Sequence, residues 1–330
     1  MTDAPLAFIT PTLTFTDLRT STVTTTGQLG TDVHREALFE QIQIMPYWDL
    51  NDGVLKMEHN GASKGTCFKD IMMKPKGKGT SFFNQTTLIV RREVSPLNWK
   101  EINIKLFKNG GVQITGVRTL DMASGALHWL VDFLQRTCTA KPVFAKTPRI
   151  HDEQTQLINT DFSIGAKLRR DMLHRTLVET YRLSSSFESA IYQGVKTKYF
   201  YNDAKPPGTA PGHCACTKLC NGKGDGTTLG ACKKITISSF QTGNVIVTGG
   251  RTMEQTNEAY EFIKAVLVTH QEELLRKEYI LPESTSKPES TAAKPKKTTK
   301  AVKQGWIQHP CPRNVLHVPA TATATATADT

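Results

Sequence analysis

The sequence predicts an α+β fold in which two similar halves share a curved antiparallel sheet. The first observation is a repeated segment: FKNGGVQITGVRTL begins at Phe107, and FQTGNVIVTGGRTM begins at Phe240, with seven of the fourteen positions identical. The second is that each copy follows a similar order of strands and leads into an amphipathic helix. The third is the alternation of apolar residues, which buries one sheet face against helices and leaves the other free. Duplication of one segment implies a pseudo-two-fold axis, which suits a near-symmetric, double-stranded partner.

Charge and cysteine content limit the class of protein. The 330 residues suggest about two domains, and the formal net charge of +11 indicates a polyanionic partner such as nucleic acid or an anionic surface. No run approaches the roughly 18 apolar residues of a membrane helix, and residues 1–10 lack the pattern of a secretory signal. Seven cysteines, four of them between Cys214 and Cys232, do not form the pattern of an extracellular disulfide framework. We therefore expect a reducing, intracellular compartment.

Local patterns predict the elements of the first half. Residues 18–26 are rich in β-branched side chains and predict a strand, after which Asp32 is expected to cap a helix through about residue 42. Residues 47–78 are glycine-rich and basic, which favours a loop. Further strands are predicted over residues 82–91, 102–107 and 112–115. Asn109-Gly110 forms the turn of a hairpin, and Asp121 is expected to cap the next helix.

The second half repeats this order. Strands are predicted over residues 157–164, 195–201, 234–240 and 245–248. Helices are predicted over residues 169–181, with Val178 facing inward, and 253–275. Residues 282–303 are basic, and residues 319–330 are mostly Ala and Thr, a composition that cannot bury enough apolar surface to fold. We expect a disordered tail that gives solubility or nonspecific DNA attraction, with a localisation signal as the alternative.

The repeated hairpin, followed by Thr-Gly-x-Arg and a helix, resembles the TATA-box-binding protein family. Divergent TATA-binding-like proteins of large nucleocytoplasmic DNA viruses have similar segments: FFNQTTLIV, KLFKNGGVQITG, INTDFSIG, YQGV, GKGDG and CKKITISSFQTGNVIVTG. The resemblance covers about residues 18–275. It implies a pseudo-two-fold saddle with helices on the convex face. The implied units are an extension (1–17), a first repeat (18–142), a second repeat (143–281) with a Cys/Gly-rich insertion (205–232), and the tail (282–330).

The same resemblance implies a function. The family binds and bends promoter DNA through the A·T-rich minor groove and recruits a transcription-factor-IIB-like partner and RNA polymerase. We therefore expect a monomeric, non-catalytic transcription initiation factor that needs no cofactor and contacts no membrane. The expected location is the host nucleus or a cytoplasmic viral factory, with packaging in the virion as an alternative.

The resemblance also assigns wedge residues, the aromatic side chains that insert between base steps and kink the duplex. Phe107 and Phe240 match one wedge of each half. Phe83 matches the second wedge of the first half, although Phe82 is adjacent to it. Tyr192 occupies the corresponding position of the second half, where its hydroxyl would enter an apolar base step.

Other residues match the groove-facing floor and its edges. Asn159 matches a central asparagine that bonds base acceptors, with Thr20 as its expected counterpart in the first half. Arg118 and Arg251 match basic residues that bind phosphate, whereas Gly111 and Asn244 replace a lysine that is common in the family. The remaining floor and turn positions are Asn109, Gln113, Thr115, Thr242, Ile246 and Thr248. Gln113 replaces the usual valine and offers an amide donor to the groove.

The four cysteines of the insertion are a candidate metal site. Cys214, Cys216, Cys220 and Cys232 offer four thiolates to a structural zinc ion, and the surrounding glycines let the chain wrap around a metal. The Cys-x-Cys spacing differs from the usual Cys-x-x-Cys of zinc ribbons. A flexible loop with reduced, unliganded thiols therefore stays open as the alternative.

Two rival functions also remain open. A DNA-repair enzyme can use the same fold, but it needs a helix-hairpin-helix module with a catalytic Lys or Asp, and the sequence after residue 275 contains no such segment. A protein-interaction scaffold that has lost DNA binding is favoured by the departures at Gly111, Gln113, Tyr192 and Asn244.

Overall fold

The computed structural model describes residues 8–73, 83–216, 223–226 and 230–279. The chain separates into two units, residues 1–281 and 282–330, and the predicted tail lies outside the described residues. The first unit is built on an eleven-stranded antiparallel sheet with helices packed on one face. The predicted α+β class, with a curved antiparallel sheet and helices on one side, is thereby confirmed.

The elements fall into two series. The first comprises β1 (Phe8–Ile9), β2 (Arg19–Gln28), α1 (Arg35–Gln41), β3 (Gly53–His59), β4 (Ala62–Gly65), α2 (Phe68–Met72), β5 (Gln85–Ser95), β6 (Asn98–Phe107), β7 (Gly111–Val117) and α3 (Leu120–Thr137). The second comprises β8 (His151–Ser163), α4 (Arg170–Glu179), β9 (Ser185–Ser186), β10 (Val195–Tyr201), β11 (Lys233–Ser239), β12 (Asn244–Gly250), α5 (Met253–Thr269), α6 (Gln271–Leu274) and β13 (Glu278–Tyr279).

The strand order reflects the duplication. It runs β4-β3-β5-β6-β7-β2-β8-β12-β11-β10-β9, so each half contributes an outward series of strands from a central β2–β8 pair. Val23 of β2 pairs with Ile158 of β8 at the middle of the sheet. The short strands β1 and β13 form a separate two-stranded sheet, which joins the start of the described chain to its end.

Each half has its own apolar core between sheet and helices. In the first half, Leu127, Leu130 and Leu134 of α3 pack over the buried side chains of Val112 and Ile114. In the second half, Ile263, Val266 and Leu267 of α5 belong to one cluster with Val245 and Val247. Burial of one such side chain contributes about 1.5–3 kcal/mol to the stability of the fold. The helices cover one face of the sheet in this way, and the other face remains open.

Two glycines show why both hairpins have the same turn. Gly110 and Gly243 have φ angles of +77° and +86°. A Cβ atom at these positions would lie 2.2 Å from the carbonyl oxygen of Thr31 and 2.1 Å from that of Ala166. Both residues accept a backbone N–H bond, from Leu29 at 2.9 Å and from Ile164 at 3.0 Å. Glycine is therefore required twice, by conformation and by close approach.

The structure corrects both predicted helix caps. Asp121 lies inside the first turn of α3, and the hydroxyl of Thr119 accepts the N–H of Met122 instead (3.2 Å). Thr252 caps α5 in the same way through the N–H of Gln255 (3.3 Å). Asp32 does not cap α1, because the N-cap position is occupied by His34, two residues later, which makes no side-chain cap hydrogen bond. The Asp32 carbonyl instead accepts the N–H of Ala145 at 3.0 Å. The helix therefore begins at Arg35.

Other predicted boundaries also change. The predicted loop over residues 47–78 is wrong, because its described part contains β3, β4 and α2. The predicted helix 253–275 is interrupted at His270, where the backbone leaves the helical region and α6 follows. Val178 was expected to face inward on α4, but it is exposed.

The N-terminal stretch before β2 packs against the second half. Backbone N–H groups of Thr14 and Thr16 donate to the carbonyls of Ile164 and Ser163 at 3.0 and 2.9 Å, which fastens the N-terminal stretch to the end of β8. None of the helices in the described ranges is long and apolar enough to cross a membrane.

Candidate nucleic-acid interface

The strands β7 and β12 contribute four uncharged side chains to the open face of the sheet, and we call these four residues its floor. Because successive side chains of a strand point to opposite faces, Gln113 and Thr115 of β7 lie on the open face while Val112 and Ile114 face the helices. In β12, Ile246 and Thr248 lie on the open face in the same manner. All four floor residues are half-buried. The floor is thus apolar or weakly polar and closely packed.

The two central strands continue this floor with hydroxyl and amide groups. Thr22, Thr24 and Thr26 of β2 lie on the open face, and Asn159 of β8 lies beside them. Asn159 donates its Nδ2–H to the Thr22 hydroxyl at 2.9 Å.

The expected counterpart of Asn159, Thr20, is a wrong assignment. Leu29 and Ile164 occupy equivalent positions, since each donates its N–H to the hairpin glycine of its own half. Thr24 lies five residues before Leu29, and Asn159 lies five residues before Ile164. Thr24 is therefore the residue of the first half that corresponds to Asn159. The first half therefore offers a hydroxyl where the second offers an amide.

The aromatic residues lie at the hairpin ends of the open face. Phe107 ends β6 and Phe240 follows β11, and both are half-buried. Phe83 is 69% exposed, whereas Phe82 lies outside the described residues. In the second half, the rings of Tyr192 and Phe240 meet edge to face with centroids 5.7 Å apart. The Lys196 ammonium lies 3.9 Å from the Tyr192 ring centroid.

Two arginines that sequence reasoning missed hold the aromatic turns. Arg35, at the start of α1, donates from Nη1 to the carbonyl of Phe83 at 3.1 Å. Arg170, at the start of α4, donates from Nη1 to Gln193 Oε1 at 2.9 Å and to the Gln193 carbonyl. Its Nη2 donates to Gln241 Oε1 at 3.1 Å. Arg35 lies six residues after Leu29, and Arg170 lies six residues after Ile164. An alignment of the two halves would therefore have identified them as an equivalent pair.

A pair of cations lies at the same place in each half. Arg118 and Arg251 follow the last strands β7 and β12, and both have a buried Nε atom. Burial, together with the charge of Arg118, lowers the pKa of Lys100. Burial, followed by the charge of Arg251, likewise lowers the pKa of Lys233. Like charges held together in half-buried positions favour a bound anion. The sequence analysis had identified only the arginines.

Asn109 and Thr242, the residues predicted to bind DNA from the hairpin turns, both lie at the surface. Asn109 is exposed, and its Oδ1 accepts the N–H of Gly111 at 3.1 Å, which makes it a turn residue. Thr242 is also exposed. Beside the second hairpin lies a groove of about 490 Å³, whose lining includes Lys167, Arg170, Asn244, Ile246 and Phe240.

Three of the four predicted zinc ligands lie together. The sulfur atoms of Cys214, Cys216 and Cys232 are within 4.8 Å of one another, and Cys220 lies outside the described residues. This cluster is at the start of β11, away from the aromatic hairpin ends.

The chain is similar to a curated viral protein and to a solved structure. A curated protein of Acanthamoeba polyphaga mimivirus, described as TATA-box-binding protein-like, is 26% identical over 262 residues, which are 76% of this chain and 65% of the relative. The chain thus spans about 65% of the length of that relative. Among solved structures, Methanococcus jannaschii TBP matches at 15% identity and a TM-score of 0.42, covering 78% of this chain and 99% of that chain. No family model matches the chain.

The duplicated antiparallel sheet, open on one face, defines the class of fold: a saddle made of two repeats. The similarity to the mimivirus protein confirms the resemblance to the TATA-box-binding protein family that the sequence motifs predict.

Proposed function

We propose that this chain is a non-catalytic transcription initiation factor that binds duplex DNA in the minor groove, against the open face of its sheet. The observation that carries the proposal is the two-fold repetition of one arrangement around the β2–β8 pair. Each half has a hydroxyl-rich or apolar floor, an aromatic hairpin end and a cation pair at the last strand. The partner expected for such a surface is itself nearly two-fold symmetric and double-stranded.

The chemistry of the floor favours the minor groove. A·T pairs present only acceptors and no bulky groups at their minor-groove edge, so small hydroxyl and apolar side chains can approach closely. Thr115, Thr248 and Ile246 meet this requirement, and Asn159 supplies an amide donor near the centre. Phe107 and Phe240, at the ends of the floor, are the proposed wedges, and the kink that they would produce follows from the family resemblance.

Partner proteins are part of the same proposal. With DNA on the open face, the helices α3 and α5 remain available on the other side of the sheet. We place a transcription-factor-IIB-like partner and RNA polymerase there, on the basis of the resemblance. The site of action is then the host nucleus or a cytoplasmic viral factory.

One observation favours a protein-interaction scaffold as the second candidate. Asp161 of β8 lies on the open face and forms an ion pair of 2.7 Å with Arg19. A carboxylate on a DNA-binding floor repels phosphates unless its charge is neutralised. In the DNA-binding proposal Arg19 supplies that neutralisation, whereas a scaffold would use both charges to bind a protein.

A titration with short duplexes separates the two candidates. The full chain is titrated with A·T-rich and G·C-rich duplexes at two salt concentrations, using fluorescence anisotropy. We expect tighter binding to the A·T-rich duplex and a steep loss of affinity with salt. Equal affinity for both duplexes with little salt dependence would exclude minor-groove recognition and leave the scaffold.

Thr248→Lys provides the site-directed form of this test. A lysine on the floor blocks close approach of the groove, so the affinity for the A·T-rich duplex should fall while the midpoint of unfolding stays nearly constant. Thr269→Lys makes the same chemical change at an exposed position at the end of α5 and should leave the affinity unaltered. A large loss of stability in Thr248→Lys would instead assign Thr248 to the core.

A further inference from the structure

The connection between β5 and β6 in the first half differs from the equivalent connection between β10 and β11 in the second half. In the first half, β5 and β6 are joined by a tight turn between Ser95 and Asn98. In the second half, the equivalent strands β10 and β11 are separated by residues 202–232. A long insertion at a hairpin end must be ordered by contacts of its own, because the two strands no longer hold it in a turn.

Three thiols converge where this insertion returns to the sheet. Cys214 Sγ lies 3.5 Å from Cys216 Sγ and 3.6 Å from Cys232 Sγ. A disulfide requires about 2.05 Å, so these are not bonded pairs. Thiolates at about 2.3 Å from a tetrahedral zinc ion are about 3.8 Å from one another. The sulfur atoms therefore already have nearly the spacing that a shared zinc ion requires.

Hydrogen bonds from backbone and side-chain N–H groups hold the sulfur atoms of the cluster in place. The backbone N–H of Ala215 donates to Cys232 Sγ, and that of Cys232 donates to Cys216 Sγ, both at 3.2 Å. Buried Asn202, at the end of β10, directs its amide towards Cys232 Sγ at 3.5 Å and towards the carbonyl of Gly230 at 2.9 Å. N–H donors stabilise sulfur when it is charged, and such outer partners orient metal ligands.

The adjacent histidine is used elsewhere. His213 lies next to Cys214 in the sequence, but its Nε2 lies 2.9 Å from the carbonyl oxygen of Tyr181. The thiols are thus the metal-binding groups that the described part of the insertion brings together.

We propose that Cys214, Cys216 and Cys232 bind a structural Zn²⁺ ion as thiolates, with Asn202 as a positioning residue. Zinc is the metal that suits a sulfur-rich, tetrahedral site without redox function. The ion joins the insertion to the end of β10 and the start of β11, in the place of the tight turn of the first half. This proposal does not depend on DNA binding.

The experiment uses the full chain, expressed with zinc in the medium and purified under reducing conditions. Elemental analysis should find about one equivalent of zinc per chain. Metal-free protein titrated with Co²⁺ should develop the absorption bands of tetrahedral thiolate coordination. Cys214→Ser and Cys232→Ser should lose the zinc, and Asn202→Ala should retain it with an affinity lowered roughly 10- to 100-fold. Cys138→Ser, which changes a buried cysteine elsewhere, should keep the full equivalent.

Three outcomes would overturn the proposal. The first is wild-type chain without zinc above the buffer level and with no cobalt spectrum. The second is a disulfide between Cys214 and Cys216 in protein that was never exposed to an oxidant. The third is equal zinc content in Cys214→Ser, Cys138→Ser and wild-type chains. Because Cys214 is exposed, its serine variant is expected to fold, and circular dichroism checks this.

Discussion

At the scale of single residues, the aromatic side chains at the hairpin ends differ between the two halves. Tyr192 packs against Phe240 and lies under the Lys196 ammonium, whereas Phe83 is largely exposed and is held through its backbone by Arg35. The second aromatic pair is therefore organised in the free chain. We infer that the first half reorganises more on binding, because an exposed ring has no fixed partner.

The first prediction concerns these wedges. The double variant Phe107→Ala and Phe240→Ala should lose the bend of a bound A·T-rich duplex, measured by fluorescence transfer between its ends. Losing contacts that offset the unstacking of base steps, a few kcal/mol each, should weaken specific binding at least tenfold. Nonspecific binding should change less. Phe133→Ala, on α3 and stacked on Trp129, should leave the bend unchanged. An unaltered bend in the double variant would disprove the assignment.

At the scale of elements, the two hairpins depend on turns that only glycine can form. Gly243 has a positive φ and faces the carbonyl of Ala166, so its place in the sequence is determined by two constraints at once. Gly125, inside α3, meets nothing within 4 Å of the position of an added Cβ. A glycine-to-alanine substitution can therefore be compared in a strained turn, at Gly243, and at an open position of a helix, at Gly125.

The second prediction uses this contrast. Gly243→Ala should lower the free energy of unfolding by more than about 1 kcal/mol, because alanine is strained at this φ and its Cβ overlaps a carbonyl. Gly125→Ala should raise it by about 0.5–1 kcal/mol, since alanine has the higher helix propensity. Urea unfolding followed by circular dichroism measures both. Equal effects of the two substitutions would show that the hairpin turn tolerates a side chain.

At the scale of the whole molecule, the two halves place equivalent cations at matching positions of the repeat. Arg118 and Lys100 in the first half correspond to Arg251 and Lys233 in the second, each separated by 133 positions. The Nε of Arg251 is buried without a hydrogen-bond acceptor within the part of the chain that the structure describes. A phosphate oxygen would supply that acceptor and would neutralise the pair.

The third prediction concerns salt dependence. Replacing both Arg118 and Arg251 by Ala should reduce the slope of log affinity against log salt by about two, one for each lost phosphate contact. The preference for A·T-rich over G·C-rich duplexes should persist, because phosphate contacts carry no base information. Arg175→Ala removes an exposed arginine that pairs with Glu179 on α4 and should not alter the slope. An unchanged slope in the double variant would remove these arginines from the interface.

The sequence by itself determined what depends on local patterns and on the repeat. The hairpins and the α+β class follow from short-range periodicity and a duplicated segment. These features need only neighbouring residues, since a turn type and a two-residue alternation are set within a few positions. The roles of Thr115 and Thr248 on the floor and of Phe107 and Phe240 as wedges are what the family resemblance implies for these positions.

Only the tertiary structure decided which distant groups meet. The strands β3 and β4 form in a segment whose composition favours a loop, because β5 pairs with β3 and β3 in turn pairs with β4. Arg35 contacts Phe83, and Cys232 contacts Cys214. The partners are distant in the sequence, so no local pattern predicts either contact. The hydrogen bond between Asn159 and Thr22 depends on the register of β2 against β8. That register depends on how both apolar cores pack against the sheet. Side-chain contacts between remote segments are fixed by packing, and packing is a property of the folded chain as a whole.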